Sequence, residues 1–365
     1  MRKYSKVLAL TAGAVLMLSA CTPAAPAAPA TPATPATPAT PAEQPPADSV
    51  AYPTRDITAV VPWGAGGGTD LTVRSIAEPM QTMLGVNMPV LNMGGAGGSI
   101  GLQDVFDSPR DGYRILGTSM SSLATINIMG LSDVSYTEWI AWTATFSPNT
   151  VAVRADSPHQ TLDDLLAALA ADPGNVTMGS GGPGTSGHVG GLILAEVAGL
   201  SFNHIPYEGG NPAVIATLSG EVEFNTQLLS EQIDHIRSGT LRALATLSPD
   251  VVEVVGVGGE VIQIPSAANY VSGLDEWLPL GGSLGIMIPA DSPEHVFTAI
   301  NDAYSYAVTT ADFIDFAEDR GMIPVGMSAE DTAAYLENVA IRVGWTLWDA
   351  GVAAVSPEEF GIPRP

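Results

Sequence analysis

Backbone N–H groups gathered in glycine-rich turns are the donors with the clearest chemical potential in this sequence. The first cluster runs Pro62-Trp63-Gly64-Ala65-Gly66-Gly67-Gly68-Thr69-Asp70. It follows a β-rich run, Ile57 to Val61, and opens a helical stretch, so free N–H groups and the positive helix end converge and can bind an anion without any cationic side chain. A second cluster, Gly94 to Gly101, contains Gly97-Gly98-Ser99-Ile100-Gly101, a formal match to the G-x-S-x-G turn of serine hydrolases. No Asp or His partner for Ser99 can be assigned downstream, so a hydrolase is a weak reading. In the third cluster, Gly179 to His188, the residues Gly179, Gly181 and Gly184 satisfy G-x-G-x-x-G after a strand-like run, with Glu208 near the end of the next one. That spacing imitates a dinucleotide-binding turn. The competing reading is a second anion-binding helix start to which Ser180, Thr185 and Ser186 add hydroxyl donors. His188 would sit in the first turn of that helix, where the positive end disfavours its protonation; packing or capping is its alternative role.

Charge and composition narrow the chemistry. The chain has 365 residues, 13 Lys or Arg, 38 Asp or Glu, and a formal charge of −25. Such acidity repels phosphate backbones, so nucleic acid is not an expected partner. Both lysines, Lys3 and Lys6, stand at the N-terminus, which excludes a Walker A loop and a Schiff-base lysine. Cys21 is the sole cysteine, so an internal disulfide and a cysteine zinc site are excluded. No catalytic residue, cofactor or metal is expected. With 46% hydrophobic residues, the chain can build one large domain or two medium ones.

The N-terminus is an address and a tether. Basic residues followed by an apolar run from Val7 to Leu18 and small residues form a secretory signal over residues 1–20, too short to span a bilayer permanently. The ending Leu18-Ser19-Ala20-Cys21 resembles the bacterial lipobox and implies cleavage before Cys21 and lipidation of its thiol. Cleavage leaves ten cations against 38 acids, a net charge of −28. Residues 21–50 repeat Ala-Thr-Pro and Ala-Ala-Pro units, a stiff, extended spacer.

From Tyr52 the pattern alternates strand and helix, predicting an α/β architecture with mostly parallel sheets. Strands are expected at 57–61, 88–91, 114–116, 151–153, 176–178, 202–205, 222–225 and 241–246. After the first turn a helix should bury Leu71, Ile76, Met80, Met83 and Leu84. Thr161 with Asp164 caps a helix facing Leu162, Leu165, Leu166 and Leu169 inward. Asn211-Pro212 opens another that Gly220 closes, and Ser292-Pro293-Glu294 a third with Val296, Ile300, Ala303 and Ala307 inside. The stretch 250–265 has no clear place in this pattern.

Together these motifs resemble the extracytoplasmic solute-binding proteins of tripartite tricarboxylate transporters, the Bug proteins, over nearly all of residues 52–348. The likeness rests on Pro62, Trp63, Gly66, Gly67, Thr69 and Asp70; on Asn92 through Gly101 with Asp111-Gly112-Tyr113; on Gly179-Ser180 through His188; on His204 through Ala213; and on His235 through Leu244. The resemblance implies a two-lobed, type II periplasmic-binding-protein (Venus-flytrap) fold with a cleft between lobes. It also implies a non-enzymatic receptor that hands a small carboxylic acid, a di- or tricarboxylate or an aromatic carboxylate, to membrane permease subunits. The ligand-binding candidates are Trp63, Gly64, Ala65, Gly66, Gly67, Gly68, Thr69 and Asp70 on one lobe. Ser119, Ser180, Gly181, Gly184, Thr185, Ser186, His188, Asn225 and Thr226 complete the set, with Trp63 as an apolar wall. An exported hydrolase or dinucleotide enzyme using Gly179 to Gly184 is the alternative.

The lobe boundary is expected where the chain crosses over, near 146–150 and 266–273, giving lobe one as 51–148 plus 271–365 and lobe two as 149–270. The C-terminal segment, with Trp345 and Trp348 on one helix face, should pack on lobe one in a monomer; a partner-docking stripe is the sharper alternative. Ser99, where the family often has Asn, and Glu223 to Thr226 depart from its pattern. A receptor of charge −28 repels an anion at long range, so recognition must be local, and the acidity suits salty surroundings where screening is strong.

Overall fold

Caps and glycine stops delimit several of the strand-to-helix units in this chain, and the computed structural model, which describes residues 51–365, follows those signals. The signal segment, Cys21 and the spacer lie outside the described residues. In chain order the first elements are β1 (Thr58–Val61), α1 (Gly68–Leu84), β2 (Val90–Asn92), α2 (Ser99–Phe106), β3 (Arg114–Ser119), α3 (Met120–Thr125) and β4 (Trp139–Pro148). Then follow β5 (Thr150–Arg154), α4 (Leu162–Ala171), β6 (Thr177–Ser180), α5 (Ser186–Ala198), β7 (Asn203–Pro206), α6 (Gly210–Ser219) and β8 (Phe224–Asn225). The remainder comprises α7 (Leu229–Arg237), β9 (Leu241–Thr246), β10 (Val252–Val255), β11 (Val261–Ile264), β12 (Gly281–Pro289), α8 (Glu294–Ala307), α9 (Ala311–Asp319), β13 (Ile323–Pro324) and α10 (Ala329–Asp349).

Two sheets carry the fold. One has the order β13-β4-β12-β3-β1-β2 and the other β7-β6-β8-β5-β9. The sheets are mixed rather than mostly parallel. β1 runs parallel to β2 and β3, and β6 parallel to β7 and β8, as right-handed crossover units require. The chain then passes from β4 into β5 across the single residue Asn149 and re-enters the first sheet through β12. These two entry strands run against their neighbours: β12 is antiparallel to β3 and β4, and β5 to β8 and β9. Helical periodicity says nothing of that reversal.

Local signals fold as expected where they are strongest. Thr161 and Asp164 form a reciprocal capping box, and Leu162, Leu165 and Leu169 are buried. Gly220 closes α6 in the left-handed conformation, and α8 buries Val296, Ile300, Ala303 and Ala307. In α1 the buried face is instead Thr72, Val73, Ile76, Ala77 and Met80, and Met83 is exposed. The second strand starts at Val90, later than expected. Residues 250–265 form the antiparallel hairpin β10–β11, which buries Val254 and Ile264 among Ile233, Ile236 and Leu241. On α10, Trp345 is buried and its Nε1–H donates to the Pro363 carbonyl at 2.7 Å, whereas Trp348 is 38% exposed. Residues three apart sit about 60° apart around a helix, enough to turn one ring inward and the other out. No helix of the described residues is long and apolar enough to cross a membrane.

Candidate functional site

Loops from both sheets meet in one cleft of about 470 Å³, its open mouth included. The first sheet contributes Trp63, Gly64, Gly67, Gly68 and Thr69 at the start of α1, Ser119 and Ser122 around the start of α3, and Leu284 of β12. The second contributes Gly181, Thr185 and Ser186 before and in α5, Gly209 to Pro212 at the start of α6, and Gln227, Leu228 and Glu231 around the start of α7. Four helices of eight or more residues, α1, α5, α6 and α7, thus begin at its wall, and their first-turn N–H groups have no acceptor within their own helix backbone. Each positive helix end stabilises a nearby anion by roughly 0.3–1 kcal/mol when exposed and up to about 2 kcal/mol when partly buried.

The first loop is held in shape by Asp70. Its carboxylate accepts the Gly66 N–H at 2.9 Å, Arg74 Nε–H at 3.0 Å and Asn92 Nδ2–H at 2.9 Å. Burial pushes the Asp70 pKa up, but the hydrogen bonds from Arg74, Gly66 and Asn92 outweigh it and hold the group below the usual carboxylate range. Asn92 also donates to the Trp63 carbonyl, locking the loop against β2. Asp70 is therefore the loop's brace, and Ala65 and Gly66 face outward beside the cleft rather than line it.

The second cluster supports the first. Gly98 has a φ of +93°, and a Cβ there would come within 2.9 Å of the Trp63 indole, so only glycine lets that ring lie flat against the turn. Ser99 Oγ–H donates to the Ala96 carbonyl, a local turn bond with no triad geometry.

In the third cluster several expected ligand donors are committed inside the loop. Ser180 Oγ lies 2.6 Å from His204 Nε2, and Thr185 Oγ1–H donates to the Gly182 carbonyl at 2.7 Å. The Gly184 N–H donates to His188 Nδ1 at 3.2 Å, which places the His188 proton on Nε2. The His188 and His204 rings stack at 4.0 Å and border a separate surface hollow. Burial, followed by the neighbouring His204, pushes the His188 pKa down to about 3; burial alone takes His204 to about 4. Both are neutral packing groups at ordinary pH, and His188 does not line the cleft. Nor do Ser180 or Gly184. Gly181 does, backed so closely by the Gly209–Gly210 backbone that a Cβ would sit 3.0 Å from it.

Asn225 and Thr226 are also displaced from the expected place. Both are fully buried; Asn225 Nδ2–H donates to Thr217 Oγ1, and Thr226 Oγ1–H to the Gly187 carbonyl. The cleft-facing residues come next, Gln227 and Leu228, with Glu231 one turn further on. Sequence reasoning missed these, Ser122, Leu284 and the α6 start, although Gly209-Gly210 before a helix carried the same signal as the first loop.

Among the described residues, no cation lines the cleft. Among the described arginines, Arg55, Arg74, Arg110, Arg114, Arg154, Arg237, Arg320 and Arg364 pair with aspartates. Arg242 and Arg342 donate to carbonyl oxygens. Polar recognition in the cleft therefore falls to backbone N–H groups and hydroxyls. Thr69, Ser122 and Ser186 have hydroxyls without a side-chain hydrogen bond among the described residues.

A family model described as the tripartite tricarboxylate transporter family receptor matches residues 72–347, more than half of the chain. The chain belongs to that family. Protein BugT of Bordetella pertussis is 28% identical over 310 residues, covering 84% of this chain and 92% of the relative. The structure of the periplasmic binding protein BugD is similar with a TM-score of 0.73 at 25% identity, covering 83% of this chain and 99% of that one. An R. palustris protein solved with adipate has the same fold at 22% identity, TM-score 0.74, covering 83% and 99% of the two chains. This receptor-family chain thus has the two-domain α/β fold of periplasmic binding proteins.

Proposed function

We propose that this receptor captures a small carboxylic acid, a di- or tricarboxylate or an aromatic carboxylate, in the cleft and delivers it to the membrane permease of a tripartite transporter without chemically changing it. The observation that carries this reading is the meeting of the α1, α5 and α6 N-termini, drawn from both sheets, in a cleft with no cation. Such an arrangement grips a carboxylate at each end by backbone donors, with Trp63 as the apolar wall. The direct ligand contacts are assigned to Trp63, Gly64, Gly67, Gly68, Thr69, Ser119, Gly181, Thr185 and Ser186. The protein works as lobe 51–148 plus 271–365 closing on lobe 149–270, as a monomer hung from a membrane by lipidated Cys21.

Thermal melting against a panel of carboxylic acids and nucleotides tests the reading. One acid should raise stability by about 2.7 kcal/mol at a hundred times its Kd, without turnover. A shift by a nucleotide but by no acid overturns it. Cys21→Ala should release the protein from the membrane fraction; retention there would remove the anchor.

A further inference from the structure

The cleft contains one charged side chain, and it has the sign of the ligand. Glu231, at the third position of α7, caps its own helix by accepting the Leu228 N–H at 3.3 Å on Oε2. Its Oε1 accepts the Gly68 N–H at 3.1 Å, the first donor of α1 and a group the anion site needs. Gln227 satisfies both of its neighbours when its amide is turned so that Oε1 accepts the Gly181 N–H at 3.1 Å and Nε2 donates to Glu231 Oε2 at 3.1 Å, the orientation that its surroundings dictate. Donors from the two glycine loops are thus joined by a chain of internal side chains. The close seat has a steric condition: a Cβ on Gly210 would lie 2.1 Å from Glu231 Oε2, so the start of α6 also abuts this carboxyl.

Nothing nearby neutralises it by an ion pair. The titratable or charged groups on the elements packed around it are Asp70, Arg74 and Glu78 of α1, Asp234, His235 and Arg237 of α7, Arg242 of β9, Glu253 of β10, and Glu208 before α6. Asp70 and Arg74 pair with each other, Asp234 and Arg237 pair outward, and none bonds to Glu231. Leu284, Ser119 and Ser122, which close the cleft from the first sheet, carry no charge. Partial burial at the cleft wall pushes the Glu231 pKa up to about 7, against the opposing pull of the Gly68 and Leu228 N–H groups.

We propose that Glu231 is the specificity-determining residue of the cleft: its carboxyl stands in for the ligand's carboxylate at the start of α1, and an acid enters by taking over the Gly68 N–H while Glu231 takes up a proton from solvent. The inference rests on the carboxylate-receptor reading. A protonated carboxyl is a poorer acceptor and no longer repels an incoming anion, so binding and protonation of Glu231 favour each other. A bound carboxylate raises the Glu231 pKa further, and the bound state holds one more proton than the free state. Affinity is accordingly greatest below the free-state pKa of about 7 and falls as the pH rises above it, by at most about tenfold per pH unit for one coupled proton. A ligand that cannot displace an internal carboxyl, such as a neutral amide of the same shape, gains nothing from lower pH.

Calorimetry with succinate, adipate, citrate and benzoate, between about pH 7 and 9 where these acids are ionised, tests this in buffers of different ionisation enthalpy. The tightest binder should weaken by up to about tenfold per pH unit in the native protein, with uptake of about one proton at the alkaline end. In Glu231→Gln the same acid should bind about tenfold or more tightly than in the native protein near pH 9, with a flat pH profile and no proton uptake. A flat profile in the native protein, or weaker binding by Glu231→Gln near pH 9, overturns the inference and leaves the receptor reading intact. Failure of all four acids to bind at any pH overturns both. If the variant shows no cooperative melting transition, proton uptake by the native protein decides alone: its absence overturns the inference.

Discussion

The first and second glycine clusters look alike on paper and do opposite things. Both follow a strand, both open a helix and both are more than half glycine or alanine. In the first, the glycines leave N–H groups facing a cleft, where Glu231 accepts from Gly68. In the second, the space a side chain would need is already filled by the Trp63 indole and, at Gly101, by Pro62 and the Met93 carbonyl. What separates the two turns is therefore their place: residues of the first line the cleft, whereas the second lies outside its lining and packs against Trp63 and Pro62.

The largest effect that would sharpen this contrast is expected at Gly181. A valine there drives a side chain into the Gly209–Gly210 backbone, which has no flexible end to yield, and should cost at least about a hundredfold in carboxylate affinity, roughly 2.7 kcal/mol, while the melting transition survives. Binding that is unchanged by calorimetry would remove this loop from the site. Gly98→Val should act in the reverse order, chiefly on stability. It combines a left-handed φ with a clash against Trp63, and overpacking with backbone strain costs on the order of 2–4 kcal/mol, read as a lower denaturant midpoint, with affinity reduced only as far as the Trp63 wall shifts. If Gly98→Val abolishes binding in a protein of native stability, the second cluster is a ligand loop after all. The smallest effect belongs to Ser99→Ala, which removes one exposed turn bond and should change stability by no more than about 0.5 kcal/mol. Loss of any hydrolytic or binding activity on that change would restore the nucleophile reading.

Acid sensitivity separates the same two turns. Asp70, whose pKa is lowered in the folded protein, contributes stability that is present above its unfolded value and is lost as the pH falls through the folded one. The second turn has no such group. Asp70→Asn should therefore flatten the acid limb of the stability curve; an unchanged limb would mean that the brace contributes nothing.

Much of the fold was legible because its signals are local: the Thr161–Asp164 box, the Gly220 stop and the α8 stripe each report on a few neighbouring residues. Strand direction was not, since β5 and β12 owe their reversal to where the chain crosses between sheets. The same division holds at the site. Gly67, Gly68 and Gly181 could be named because a glycine turn before a helix exposes its donors whatever surrounds it. Hydroxyl partners could not be read from the sequence: the Ser180 hydroxyl meets His204 and the Thr185 hydroxyl meets the Gly182 carbonyl, choices made by the folded loop. Asn225 and Thr226 were placed too early because β8 stops after two residues, and the chain reaches the cleft only as it enters α7. Glu231 drew no attention in the sequence, because a glutamate three residues into a helix is an ordinary capping residue, which it also is.

The commitment of every described arginine to an aspartate or a carbonyl has a kinetic consequence. The described residues, acidic, without lysine and without an unpaired arginine, exert no pull on a distant anion, so each encounter must overcome like-charge repulsion before the helix starts are felt. Tight capture in such a receptor must come from slow dissociation rather than fast arrival.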